Sequence, residues 1–211
     1  MPRSAKPVYA LLEVGVSPIN HSLAVGLGAN LGDPLDNLIR ARPDLENLLK
    51  SWWGCSGAGT RGAIRMRWSP LFRTEPLGGP EGQPDFLNAV VLVNGQSDPP
   101  ADPIDLLDAL LALEARFGRL RQQRWGPRSL DLDLLWCGSW RITSPRLCLP
   151  HPLLLKRSFV LAPLAAIDAS FSPPAGGRTP FLSCSERLHQ LNKEQRQHPP
   201  LRLPPCDGWP E

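Results

Sequence analysis

The chain has 211 residues, a net charge of +3 and 42% hydrophobic residues, enough for one domain with a sizeable core. That charge is too small to demand a nucleic-acid partner, and no apolar run is long enough to span a membrane. Five cysteines with no C-x-x-C pair, and four scattered histidines, argue against a disulfide framework or zinc site and fit a reducing compartment.

Residues 1–21 carry no clear period and read as an N-terminal extension. Glu13 interrupts their short apolar stretch, which argues against a signal peptide. A cytoplasmic location is expected, with organelle targeting by residues 1–21 left open. The run SLAVGLG at 22–28 predicts a buried strand. A turn follows, in which Asp33 suits an N-cap and Pro34 the first helical position. Leu35, Leu38, Ile39, Leu45 and Leu49 fall at helical spacing, and Pro43 predicts a kink or split in that helix. Gly26, Gly28 and Gly32 do not have dinucleotide-loop spacing and are expected to form a tight strand-to-helix turn. Neither a P-loop nor the protein-kinase signatures occur, so any phosphoryl transfer needs another scaffold.

Residues 50–61 read as a Gly/Ser-rich loop. A strand over 62–72 follows, with Ile64, Met66 and Trp68 alternating with arginines. After the Gly/Pro-rich loop RTEPLGGPEGQPD comes FLNAVVLVNG, the clearest strand in the chain. Asn88 is the polar side chain inside it, either a satisfied buried amide or a ligand contact. Asp102 and Pro103 start a second helix that runs to about Phe117 on a stripe of Leu106, Leu110, Leu113 and Phe117. Glu114, near its C-terminal end, is disfavoured there by the helix dipole. It implies a specific partner, or pairing with Arg119 or Arg121.

The segment RLRQQRWGPRSLDLDLLW carries the chemistry. Arg119, Arg121, Arg124 and Arg128 lie in a loop-like stretch and offer forked donors matched to phosphate. Asp131 and Asp133 follow on a strand and share one face, while Leu130, Leu132, Leu134 and Trp136 are predicted to enter a core. Paired carboxylates suit Mg²⁺, which takes one or two of them and completes its shell with water and phosphate oxygens. Alone, the aspartates could be a solvated face and the arginines a surface or nucleic-acid patch. Together they favour a nucleotide-using phosphoryl transferase. Beyond them lie a strand-like RLCL, a Pro-His-Pro corner at His151, a Pro/Gly linker at 169–180, a short helix at 181–192 and a proline-rich tail at 193–211.

The order β-α-β-β-α-β predicts an α+β, ferredoxin-like antiparallel sheet with helices packed on it, followed by a C-terminal extension. The expected division is an extension at 1–21, a catalytic domain at 22–168, and linker, helix and tail at 169–211. The motifs VGLGANLGD, SPLFRTEPLGGPEGQPDFLNAVV, LEARFGRLRQQRWGPRSLDLDLL and LCLPHPLLLKRSFVLAPL, in this order, resemble those of the hydroxymethyldihydropterin pyrophosphokinase family. The resemblance implies the ferredoxin-like core and transfer of pyrophosphate from ATP to the hydroxymethyl group of a dihydropterin, releasing AMP.

The resemblance also implies a set of roles. Asp131 and Asp133 would hold two Mg²⁺ ions. Arg119 and Arg128 would act on the phosphates with help from Arg121. Glu114, Leu134, Arg146, His151 and Arg157 would line the ATP site. Thr74, Leu77, Phe86, Asn88, Trp125 and Phe159 would hold the pterin, the two phenylalanines against its ring faces. The connections 29–33, 73–85 and 119–129 would close over the ligands. Ala29 departs from the usual Ser of the family's first turn, and residues 50–61 look expanded. A monomer without nucleic-acid or membrane partners is expected. The alternatives are a catalytically silent relative and a ferredoxin-like RNA-binding module, the latter lacking the paired strand aromatics that stack bases.

Overall fold

The computed structural model describes residues 21–54, 64–96, 99, 101–118, 126–174, 182–194 and 198–210. In chain order the elements are β1 (Ser22–Ala29), α1 (Pro34–Gly54), β2 (Arg65–Trp68), β3 (Phe72–Thr74), β4 (Phe86–Asn94), α2 (Pro103–Arg116) and β5 (Asp131–Cys137). A small hairpin of β6 (Ile142–Thr143) and β7 (Cys148–Leu149) follows, then one helical turn (Leu154–Lys156), α3 (Ser158–Ile167), α4 (Cys184–Glu194) and β8 (Leu201–Arg202). The main sheet is antiparallel in the order β5-β1-β4-β3-β8, with β2 on β4 beside β3. This is the expected ferredoxin-like α+β arrangement, with additions at one edge. Among the described residues no helix is long and apolar enough to cross a membrane.

Strand alternation divides the core into two. Leu23, Val25 and Leu27 of β1, Leu87, Ala89, Val91 and Val93 of β4, and Leu132 and Leu134 of β5 face α1 and α2. Ala24, Val90, Leu92, Leu135 and Trp136 face the opposite way, into α3 and α4. Each fully buried leucine contributes about 1.5–3 kcal/mol, so neither layer is decorative. Both early helices start as their sequences predict. The Asp33 carboxylate accepts from the Asp36 amide at 3.0 Å, and that of Asp102 from the Ile104 amide at 2.9 Å.

Three expectations are corrected. First, α1 does not split at Pro43 but continues as one helix to Gly54. Its stripe of Leu38, Ala41, Leu45, Leu49, Trp52 and Trp53 binds both sides of the proline to one sheet, which outweighs a single missing hydrogen bond. Trp52 and Trp53 therefore belong to this helix and not to a loop. The rest of the expanded segment, 55–63, lies outside the described residues.

Second, Trp136 does not join the leucines of β5. The register shifts between Ala24 and Val25, which pair with Trp136 and Leu134, so Leu135 is an extra residue. This bulge sends Trp136 to the α3–α4 side, where its ring stacks on Phe171 with centroids 5.6 Å apart and its indole donates to Ser22 Oγ at 3.0 Å.

Third, the strand expected at 62–72 is two strands. Pro70 has no amide to give the ladder, and Ser69 bridges the gap. Its amide donates to the Val90 carbonyl, and its hydroxyl oxygen accepts from the Val90 amide, both at 2.9 Å. Gly26 and Gly28 belong to the strand expected at 22–28 and lead into the turn. They lie inside β1, and Gly32 takes the turn with a φ of 72°.

Candidate active site

Among the described residues, helices cover only half of the sheet face opposite α1 and α2. α3 and α4 sit over the end that carries Ala24, Leu92 and Trp136. The other end carries Gly26, Gly28, Asn88, Asp131 and Asp133 and forms the floor of a cavity of about 280 Å³. The registers explain why this floor is open. Gly28 lies between Asn88 on β4 and Asp131 on β5, and Gly26 between Val90 and Asp133. With no side chains at the centre, polar groups from both neighbours face one space. A Cβ at Gly28 would lie 3.1 Å from Asn88 Oδ1 and 3.8 Å from the Asp131 Cβ.

Phe86, Phe159, Thr74 and Leu77 also line this cavity, with Arg128, Lys156 and Arg157. Asn88 is 5% exposed, and its amide donates to Thr74 Oγ1 at 2.7 Å. The pair is held by strand pairing, Thr74 with Phe86 and Phe72 with Asn88. An aromatic ring, an amide and a hydroxyl on a rigid apolar floor fit a flat, polar-edged heterocycle.

A second cavity, of about 310 Å³, lies along the outer edge of β5 between α2 and the β6–β7 hairpin. Glu114, Leu134, Arg146 and His151 line it. Asp131 and Asp133 belong to the walls of both cavities. They are the boundary between the two spaces.

Each aspartate is matched with an arginine. Arg128 Nη1 lies 2.7 Å from Asp131 Oδ2, and Arg157 Nη1 lies 2.7 Å from Asp133 Oδ2. The two guanidiniums stand over Phe86 and Phe159 at 5.7 and 5.3 Å from the ring centroids. So the same arginines reach the carboxylates and brace the aromatic rings. The donor set fits a hard cation: two carboxylates and no sulfur. Among the described residues no group of three or more His, Cys, Asp or Glu side chains could form a protein cage around a metal. A hard cation held by these two carboxylates would complete its shell with water and phosphate oxygens, as Mg²⁺ does.

Glu114 is 2% exposed, and its carboxylate accepts from the Leu132 amide at 2.7 Å. This bond fixes the backbone between the two aspartates, a partner that the sequence did not reveal. His151 is held by its own surroundings: its amide donates to the Leu135 carbonyl at 2.7 Å, and its Nδ1 accepts from the Leu153 amide at 3.1 Å. With Nδ1 accepting, a neutral ring carries its proton on Nε2 and is a donor there. Burial pushes the imidazole below its ordinary range, while Asp133 raises it and Arg157 lowers it. Arg146 pairs with Asp108 at the surface.

The expected site residues thus gather in two adjoining spaces, apart from Arg119, Arg121 and Trp125, which lie outside the described residues. The sequence reading missed Gly26, Gly28 and Lys156, and also Asn30. Asn30 is 1% exposed. Its amide nitrogen donates to the Pro84 carbonyl at 3.1 Å, and its Oδ1 accepts from the Arg128 amide at 2.8 Å. It ties the turn after β1 to the loop before β4 and to the arginine segment. Two glycines two apart in a buried strand were the available signal for the floor; nothing in the sequence marked Asn30.

Comparison with known proteins agrees with this geometry. The family model for 7,8-dihydro-6-hydroxymethylpterin-pyrophosphokinase matches residues 24–169. A 2-amino-4-hydroxy-6-hydroxymethyldihydropteridine pyrophosphokinase of Synechocystis is 40% identical over 159 residues, 75% of this chain and 72% of that protein. The enzyme of the same name from Pseudomonas aeruginosa is 40% identical over 158 residues, 75% of this chain and 87% of its own length. A mitochondrial folate synthesis bifunctional protein of Arabidopsis thaliana is 38% identical over 74% of this chain, which covers 25% of that longer protein. The match takes in both cavities and the strand between them, and the chain belongs to the 7,8-dihydro-6-hydroxymethylpterin-pyrophosphokinase family.

Proposed function

We propose that this chain transfers pyrophosphate from ATP to the hydroxymethyl group of 6-hydroxymethyl-7,8-dihydropterin, releasing AMP, a step of folate biosynthesis. One observation carries the reading: the two aspartates form the shared wall between an aromatic, amide-edged cavity and a second cavity lined by Arg146 and His151. A transferase needs its two substrates on either side of the group that moves.

In this reading the pterin lies on the Gly26–Gly28 floor between Phe86 and Phe159. Asn88 and Thr74 meet its polar edge, and Leu77 adds apolar cover. ATP occupies the second cavity, where His151 donates from Nε2 and Arg146 offers its guanidinium. Asp131 and Asp133 would hold Mg²⁺, two ions in all, whose charge neutralises the ATP phosphates. Arg128 and Arg157 now balance those carboxylates. With a cation held by Asp131 and Asp133, Arg128 and Arg157 would be released from those carboxylates and could take phosphate, so no charge would be left uncompensated.

The hydroxymethyl oxygen forms its bond to the β-phosphorus, and the α,β-bridging oxygen leaves with AMP. No side chain forms a covalent bond to the transferred group. Alignment by two rigid pockets and fixed positive charge lower the barrier. Arg119, Arg121 and Trp125 complete the proposal on the arginine segment, the first two at phosphate and the third over the pterin. Water must be kept out, since it competes with the hydroxyl.

The test is AMP release from ATP and Mg²⁺ with and without the hydroxymethyl pterin. Pterin-dependent AMP together with a pyrophosphorylated pterin is the expected result. ADP would mean transfer of a single phosphoryl group and would overturn the proposal. Bound ATP without turnover would make the chain a silent relative.

A further inference from the structure

Residues 198–210, beyond the segment matched by the family model, are not a loose tail. β8 pairs with the far side of β3, Arg202 opposite Phe72 and Leu201 opposite Arg73. The Leu203 amide donates to the Leu71 carbonyl at 2.8 Å. Further on, Trp209 is 7% exposed, meets Trp68 edge to face with centroids 5.4 Å apart, and donates its indole N–H to the Ser69 carbonyl at 2.8 Å.

We infer that this C-terminal segment is a positioning strap that sets pterin affinity by holding β3 in place from its outer side. β3 is three residues long, ends on Thr74 and opens into the loop that carries Glu75 and Leu77 to the cavity. Bonded on β4 alone, so short an edge strand frays at little cost. The strap gives it a second neighbour. One cross-strand line then runs from the strap to the proposed metal site: Arg202 opposite Phe72, Phe72 opposite Asn88, Asn88 opposite Gly28, Gly28 opposite Asp131. That line meets the second cavity only at Asp131, which the two cavities share; among the described residues the other walls of that cavity come from α2, the rest of β5 and the segment 144–152. His198 also lies 2.9 Å from Glu75, but both side chains are well exposed and the pair adds little.

The inference rests on the pyrophosphokinase reading, and full-length variants separate the two. Trp209→Ala removes the anchor, Leu203→Pro removes the backbone donor, and Trp209→Phe keeps the ring but loses the indole N–H. If the competent arrangement of β3 falls to roughly a tenth of the population, the pterin KM rises about tenfold. The expected pattern is that rise for Trp209→Ala and Leu203→Pro, a smaller one for Trp209→Phe, and an ATP KM within about twofold of the parent. Faster hydrogen exchange over 71–85, with exchange over 131–137 unchanged, should accompany it. A pterin KM unchanged in all three variants would overturn the strap. So would equal rises in both KM values with a general fall in melting temperature, which is a merely structural role. A parent chain that releases no pterin-dependent AMP would instead sink the pyrophosphokinase reading.

Discussion

Asp133 is the residue whose removal separates chemistry from folding most cleanly. It is partly exposed, paired with Arg157, and on a strand held by buried leucines. Asp133→Ala should lower kcat by about 10³-fold, as loss of a preorganised electrostatic partner does, while the melting temperature changes little. Undiminished turnover in that variant would refute the metal assignment. Gly28 tests the floor. A Cβ there presses on Asn88 Oδ1, so Gly28→Ala should raise the pterin KM by about tenfold and leave the ATP KM near the parent value. Equal effects on both substrates would mean that the pterin does not lie on β1. The aspartates were legible in the sequence because carboxylates between leucines reveal strand parity. The glycine floor was not, since a missing side chain has the same spelling in a turn and in a cavity.

At the scale of the element, α1 shows what local propensity leaves out. Pro43 predicted a kink or a split, and six buried side chains on one stripe overrule the split. The lost hydrogen bond is still a cost. Pro43→Ala should therefore stabilise the chain by about 1–2 kcal/mol in denaturant melts, with activity unchanged. A destabilised variant would mean that the proline has shaped α1 to fit the sheet. Strand β4 was the easiest element to read, being apolar on both faces with α1 on one side and α3 on the other. The division of the strand at 62–72 depended on Ser69 meeting Val90, a partner 21 residues away. No local pattern encodes that contact. The same holds for β8, whose pairing with β3 is tertiary.

Over the whole molecule, stability should follow pH through two groups, the part-buried His151 and the buried Cys184. His151 is held below its ordinary value, so the unfolded chain binds the extra proton first as pH falls through about 6.5. Stability is then fully present above that pH and declines from 6.5 down to the lowered folded value. In ligand-free protein His151→Gln should flatten that part of the profile, and an unchanged slope would assign it elsewhere. At the alkaline end, burial pushes the Cys184 thiol up to about 12 from 9.0. Its contribution is present below pH 9 and is lost as pH rises towards 12. Native protein at pH 8 should leave Cys184 unlabelled by iodoacetamide, and unfolded protein should label it; labelling at equal rates would contradict its burial. The chain's order of elements gave the fold class early because its helices and strands follow the order β-α-β-β-α-β. Placement of the site needed the third dimension, since its two cavities draw on residues from 26 to 160.

The extra residue at Leu135 works as a phase shift in a two-beat rhythm. Before it, β5 presents acids to one side and leucines to the other; after it, the same strand delivers Leu135 and Trp136 to the side the acids occupied. One chain segment thereby borders solvent chemistry at its start and seals a dry layer at its end. Paired without the bulge, the same seven residues would alternate strictly and set the two halves against each other: with Trp136 seated, the carboxylates would point into the α1–α2 core, and with the carboxylates seated, Trp136 would leave Phe171. Neither frame buries what must be buried. The reading frame of this strand is therefore as much a part of the catalytic design as the two acids themselves.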